Sequence, residues 1–108
     1  MIPLQTQEIF EDLIKPINSM GEPAAKAVIV YFTASWCGAC QRLNLDALQK
    51  QNADVIWYKC DVDVNKYTLG YCGLTKIPSF VFIKNGKFLG KITSSDNDMV
   101  SEMITEAF

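Results

Sequence analysis

Two cysteines three residues apart, in the run Trp36-Cys37-Gly38-Ala39-Cys40, carry the most reactive chemistry in this sequence. On a first helical turn, an i, i+3 spacing puts both side chains on one face. Their Cα atoms would then stand roughly 5–6 Å apart, which suits a disulfide without backbone strain. The chemistry implied is reversible thiol–disulfide exchange, in which Cys37 attacks as a thiolate and Cys40 resolves. The same spacing is also half of a zinc site. The chain has no His and no second C-x-x-C, which weighs against metal.

The flanking residues say what must hold the pair. The apolar run Ala27-Val28-Ile29-Val30-Tyr31-Phe32 is continuous, as in a central strand covered on both faces. A polar-apolar periodic stretch, residues 41–51, follows the second cysteine and reads as a helix to about Lys50. The cysteines therefore sit where a strand becomes a helix. Cys37 would stand at the helix start, where unpaired N–H groups and the positive end of the helix dipole favour a thiolate.

The remaining elements follow in order. Residues 1–5 form a short edge strand, kept from the sheet centre by Pro3. Thr6 caps a first helix whose Ile9, Phe10, Leu13, Ile14 and Ile17 recur at core-facing spacing, and Pro16 ends or kinks it. Residues 19–25 are a loop, and residues 26–33 are the first strand. In the following helix Leu43, Leu45, Ala47 and Leu48 supply apolar contacts. Residues 55–59 form the next strand, 60–63 an acidic loop and 64–71 a short helix ended by Gly70 and Gly73. Residues 79–84 and 87–93 pair as a hairpin across Asn85-Gly86. Ser95 or Asp96 caps a last helix with Met99, Val100, Met103 and Ile104 as its buried stripe. The order is β-α-β-α-β-α-β-β-α, an α/β class with a central mixed β-sheet flanked by helices.

Bulk properties bound the function. At 108 residues the chain reads as one domain, 1–108, with a hydrophobic fraction of 49%. A net charge of −2 argues against a nucleic-acid partner or a polybasic membrane surface. No apolar run is long enough to span a bilayer. Residues 1–5 show no secretory or transit signal, with a mature form cut from a longer organelle precursor as the alternative. Four cysteines without an export signal point to a reducing compartment, the cytoplasm. Cys60 reads as a small buried hydrophobe. Cys72 reads as a free thiol, with a redox role or a Cys72-linked dimer as the alternative to a monomer.

The chain resembles the thioredoxin family. Val30-Tyr31-Phe32-Thr33-Ala34-Ser35-Trp36-Cys37-Gly38-Ala39-Cys40 is similar to V-D-F-T-A-S-W-C-G-P-C. Lys59-Cys60-Asp61-Val62-Asp63 is similar to the family's K-x-D-x-D strand end. Residues 76–87 resemble its cis-proline segment and hairpin. The resemblance implies the thioredoxin fold and a protein-disulfide reductase. Cys37 would be the exposed nucleophile and Cys40 the deeper resolving cysteine. Trp36 would border the substrate surface, and Gly38 would let backbone approach the thiol. Ile77 and a cis Pro78 would face the cysteines, Ile77 offering backbone groups to an extended substrate. Lys59 would assist proton handling. No cofactor is implied: electrons would come from a thioredoxin reductase-like partner and go to disulfide-containing proteins.

Departures from the pattern shape the expectations. Ala39 replaces the proline between the cysteines, restoring an N–H able to interact with sulfur and loosening the turn. The pair should then be less strongly reducing than in a proline-containing relative. Tyr31 replaces a buried Asp beneath the second cysteine, and a phenol is a poor base at neutral pH. Leu45 stands where many relatives have a kinking proline, which should reduce the kink. Lys76 and Ser94 stand where small residues are usual beside the groove. A disulfide oxidase or isomerase, a redox sensor, a protein-binding module with vestigial chemistry and metal binding across a dimer are the alternatives.

Overall fold

The computed structural model describes residues 1–108. In chain order they form β1 (Ile2–Pro3), α1 (Gln7–Leu13), β2 (Ala27–Thr33), a 3-10 turn (Ala39–Arg42), α2 (Leu45–Gln51), β3 (Ile56–Asp61), α3 (Thr68–Tyr71), β4 (Ser79–Lys84), β5 (Lys87–Thr93) and α4 (Asn97–Ala107). One five-stranded sheet has the order β1-β3-β2-β4-β5. β1 and β2 run parallel to β3, β4 is antiparallel to β2, and β5 is antiparallel to β4.

The apolar run of β2 explains its central place. Val28, Val30 and Phe32 point to one face, into a cluster with Phe10 of α1, Cys60, Cys72, Leu74, Val81 and Ile83. Ile29 and Tyr31 point to the other, into a cluster with Leu48 of α2, Val100 and Ile104 of α4, Trp57, Phe80 and Phe82. Burying a large apolar side chain this fully is worth roughly 1.5–3 kcal/mol. A strand that serves both cores can only sit inside the sheet. The expected mixed sheet with helices on both faces is what forms.

Local chemistry sets several boundaries. Thr6 accepts from the Ile9 N–H at 3.2 Å and starts α1. Asp96 accepts from the Asp98 and Met99 N–H groups at 2.9 and 3.2 Å and starts α4. Asn85 and Gly86 have φ of 52° and 76°, the positive values that a two-residue hairpin turn demands at both positions.

Four expectations need correction. The helix after the cysteines is not continuous: the 3-10 turn ends at Leu43, whose ψ of 139° is extended, and Asn44 begins a new helix by accepting from the Ala47 N–H at 3.1 Å. The break thus falls at Leu43–Asn44, in place of a reduced kink at Leu45. The Asn97 amide bridges it, accepting from the Asn44 N–H at 2.8 Å and donating to its carbonyl at 3.0 Å. α1 ends at Leu13, before Pro16, so Ile17 is 62% exposed in the loop, and Ile9 is 38% exposed. The helix expected over 64–71 shrinks to the four residues of α3. Met99, in the first turn of α4, faces solvent.

The glycines supply a stability test. A Cβ on Gly86 would overlap the Lys15 carbonyl at a φ of 76°. Gly86→Ala should therefore cost at least about 2 kcal/mol in denaturant unfolding. Gly38 has a φ of −65° and nothing within 4 Å of a built Cβ. Gly38→Ala should be neutral, or stabilise by up to about 1 kcal/mol. Equal losses at the two sites would contradict this account of the turn.

Candidate active site

β2 delivers the chain to Ala34, whose carbonyl accepts from the Cys37 N–H at 3.1 Å and closes the turn that carries the cysteines. Cys37 and Cys40 are joined as a disulfide with Cα atoms 5.4 Å apart, within the expected range. The Cys40 N–H donates to Cys37 Sγ at 3.1 Å. Ala39 N–H has no partner, so the N–H that reaches sulfur belongs to Cys40 and not to Ala39.

Burial departs from expectation. Cys37 is only 5% exposed and Cys40 7%, so Cys37 is not the exposed member of an uneven pair. Both pack with Ala34 and Ala39 and against Val62 and Ile77, brought in from the end of β3 and the approach to β4. Those distant residues close over the pair, which the local sequence does not reveal. The helix dipole at Cys37 is also weaker than the sequence implies. The helix that starts here is a four-residue 3-10 turn, so its stabilisation of a thiolate is local, through N–H groups, and not that of a long helix.

The Ile77–Pro78 bond is cis, as the resemblance implied. Ile77 lies against the cystine, and Pro78 is buried. The Ser94 N–H donates to the Pro78 carbonyl at 3.2 Å, which puts Ser94 beside this segment. Trp36 is 67% exposed, and its Nε1 donates to Asp63 Oδ2 at 2.8 Å. Trp36, Val62, Leu69, Thr75, Lys76 and Ile77 line an open groove of about 340 Å³ next to the cystine. Gly38 is exposed, and no contact within the chain requires a glycine there.

Tyr31 and Lys59 sit side by side in the β2–β3 register. Tyr31 stacks on Phe80 with ring centroids 5.2 Å apart, in the cluster on the α2 and α4 side, whereas the cystine packs in a separate cluster. Burial pushes the Tyr31 phenol above its ordinary value, partly offset by the polar Thr33 side chain. Tyr31 is therefore neutral at physiological pH and is no substitute for a carboxylate base. Lys59 is exposed.

Two contributors escaped the sequence reading. Asp63 holds the Trp36 indole. Ser79, fully buried, ties the segment before Pro78 to β5. An acidic residue after a strand carries no sign of such a role. A small polar residue opening an apolar strand gives only a weak one.

The other cysteines are free and buried. Burial pushes the Cys60 thiol up to about 12, with Cys72 and Asp61 adding to the shift. Burial also pushes Cys72 to about 12, against a smaller opposing effect of Lys91. Cys60 is the buried hydrophobe expected. Cys72, at 6% exposure, is withdrawn from the surface on which a Cys72-linked dimer would depend.

A cystine on a strand-to-helix turn, beside a cis-prolyl segment and an apolar groove, defines a thiol–disulfide oxidoreductase. The family model described as Thioredoxin matches residues 3–106. A thioredoxin of Geodia cydonium is 36% identical over 97 residues, covering 88% of this chain and 86% of the relative. TPR repeat-containing thioredoxin TDX of Arabidopsis thaliana is 29% identical over 85 residues, and the match spans 77% of this chain but only 22% of that longer protein. The X-ray structure of Fasciola hepatica thioredoxin superimposes with a TM-score of 0.82 at 31% identity, with each chain fully covered. The chain belongs to the thioredoxin family, and its activity is that of a disulfide reductase.

The buried thiols predict a pH effect. Their folded pKa of about 12 lies above the unfolded 9.0, so above pH 9 the unfolded chain binds fewer protons than the folded one. Stability should fall as pH rises from about 9 toward 12, by about 1.4 kcal/mol per pH unit for each thiol. Urea unfolding of the Cys60→Ala/Cys72→Ala variant should show a flatter decline over that window. An identical slope would mean that other groups carry it.

Proposed function

We propose that Cys37 and Cys40 reduce protein disulfides through a mixed disulfide. In the reduced protein the Cys37 thiolate attacks one sulfur of the substrate disulfide. A Cys37–substrate bond forms, and the substrate's other sulfur departs as a thiolate that takes up a proton. Cys40, as thiolate, then attacks Cys37 Sγ, forming the Cys37–Cys40 disulfide and releasing the second substrate thiolate. Two electrons pass to the substrate, and a second dithiol must return them. A thioredoxin reductase-like donor fits that requirement.

The observation that carries this reading is the Cys40 N–H donating to Cys37 Sγ at 3.1 Å, because the same N–H is placed to stabilise a Cys37 thiolate once the disulfide opens. The groove beside the cystine supports substrate binding, with Trp36 and Ile77 among its walls; Gly38 and Ala39 between the cysteines, and Pro78 with its partner Ser94, would complete the substrate surface. Tyr31 is too weak a base to deprotonate Cys40, so that proton passes to the departing substrate thiolate, with Lys59 acting only as a nearby positive charge. We further infer a monomer in the cytoplasm, or in an organelle after cleavage of a precursor. The two cysteines left as thiols support a reducing compartment.

The direction of transfer is read from the Cys37–Cys40 potential in glutathione buffers, in a Cys60→Ala/Cys72→Ala background. A value at or below about −220 to −260 mV supports the reductase. A value near about −180 mV would favour an oxidase, isomerase or sensor instead. Ala39→Pro fixes φ in the turn that aims the Cys40 N–H at Cys37 Sγ and should lower the potential by up to about 30 mV, a tenfold change in equilibrium constant. An unchanged potential would show that Ala39 does not tune the pair.

Tyr31→Phe isolates the phenol without opening the core. The rate of the resolving step, read by stopped-flow fluorescence after mixing with a disulfide substrate, should stay within about twofold of wild type. A tenfold loss, about 1.4 kcal/mol of barrier, would assign the hydroxyl a part in proton transfer.

A further inference from the structure

The segment facing the cystine is held by hydrogen bonds on either side of Ile77. The Ser79 hydroxyl donates to the Lys76 carbonyl. It is also 2.6 Å from Thr93 Oγ1. A serine has one hydroxyl proton, already given to Lys76, so Thr93 is the donor in the second bond. Beyond Ile77, the Pro78 carbonyl accepts from the Ser94 N–H at 3.2 Å. Both bonds anchor the segment to β5 and the residue after it. Between them, the Ile77 N–H and C=O have no partner within the chain.

The planarity of the peptide unit gives these bonds a consequence. The Lys76 carbonyl and the Ile77 N–H belong to one rigid plane and point in opposite directions. Fixing the carbonyl therefore aims the N–H. Ser79 is 0% exposed, so its hydroxyl is shielded from water, which would otherwise compete for the Lys76 carbonyl. An extended chain pairs with a sheet edge through just such a free N–H and C=O on one residue.

We propose that Ser79 is a positioning residue for protein substrates, holding the Lys76–Ile77 peptide plane so that Ile77 receives the backbone flanking the substrate disulfide. The proposal rests on the reading of Cys37–Cys40 as a reductase of protein disulfides. Ser79 touches neither sulfur nor substrate. Its effect is confined to substrates that have a peptide backbone, and the sulfur chemistry itself is unaffected.

The experiment compares two oxidants of the pre-reduced protein, insulin and bis(2-hydroxyethyl) disulfide, the second of which has no backbone to dock. Second-order rates are followed by tryptophan fluorescence. Ser79→Ala should slow the reaction with insulin about five- to tenfold, the effect of one hydrogen bond. The rate with bis(2-hydroxyethyl) disulfide and the Cys37–Cys40 potential should not change. Ser79→Thr, which keeps the hydroxyl, should restore the insulin rate. Equal slowing with both oxidants, or no slowing with either, overturns the proposal. If Ser79→Ala does not fold, Thr93→Val is read in its place. Slowing confined to insulin supports the proposal, and an unchanged insulin rate overturns it. Wild-type protein that fails to reduce insulin at all would refute the reading of the site itself, whatever Ser79 does.

Discussion

The molecule depends on one strand having no free side. β2 is hydrogen-bonded along both edges and buried on both faces. Its last residues cannot shift without disturbing two cores at once. The cystine begins four residues beyond Thr33, and the turn between them is closed by the bond from the Cys37 N–H to the Ala34 carbonyl. Rigidity of the strand is thereby passed to the sulfurs. The neighbouring strands supply the rest of the site by the same logic. β3 ends at Asp61, from which the chain runs on to Val62 and Asp63, and β4 opens at Ser79 directly after Pro78. Three strand termini meet at one end of the sheet, and the redox pair lies where they converge.

Much of this was legible from sequence wherever a residue's own stereochemistry decided the outcome. The Asn85-Gly86 turn was readable because few other pairs accept two positive φ values. β2 was readable because a continuous apolar run has no solvent-facing side to offer. The Cys37 and Cys40 pair and the proline that faces it were readable from residue type, spacing and family resemblance together. What escaped had causes far away in the chain. The break at Leu43–Asn44 is fixed by Asn97, 53 residues on, and the apolar pattern runs across it unaltered. The burial of Cys37 comes from Val62 and Ile77. Ile9, Ile17 and Met99 fit a helical stripe, yet the stripe extended beyond the ordered turns or beyond the surface that the sheet covers.

Tyr31 shows how a substitution at a functional position is absorbed by the fold. A carboxylate at a site this buried would need a partner or would hold its proton. A tyrosine asks for neither, because it is neutral at physiological pH and its ring completes an aromatic stack with Phe80. The position gains core stability and loses the capacity to accept a proton at neutral pH. In the proposed exchange, the resolving step then draws on the substrate's own leaving group. That arrangement is self-timing, since the base appears only when the first bond has broken.

The break before α2 bears on the electronics of the pair. A long helix starting at Cys37 would bring an aligned column of peptide dipoles to bear on the sulfur. Here four residues form the turn, and α2 directs its own N-terminus at Asn44. The field at Cys37 therefore arises mainly from the nearest peptide groups, above all the Cys40 N–H at 3.1 Å. Local donors act over one bond and are sensitive to which residue separates the cysteines. In a chain with a continuous helix, the dipole would buffer a change at that position. In this one, Ala39 bears on the balance between dithiol and disulfide through the turn that places the Cys40 N–H on Cys37 Sγ.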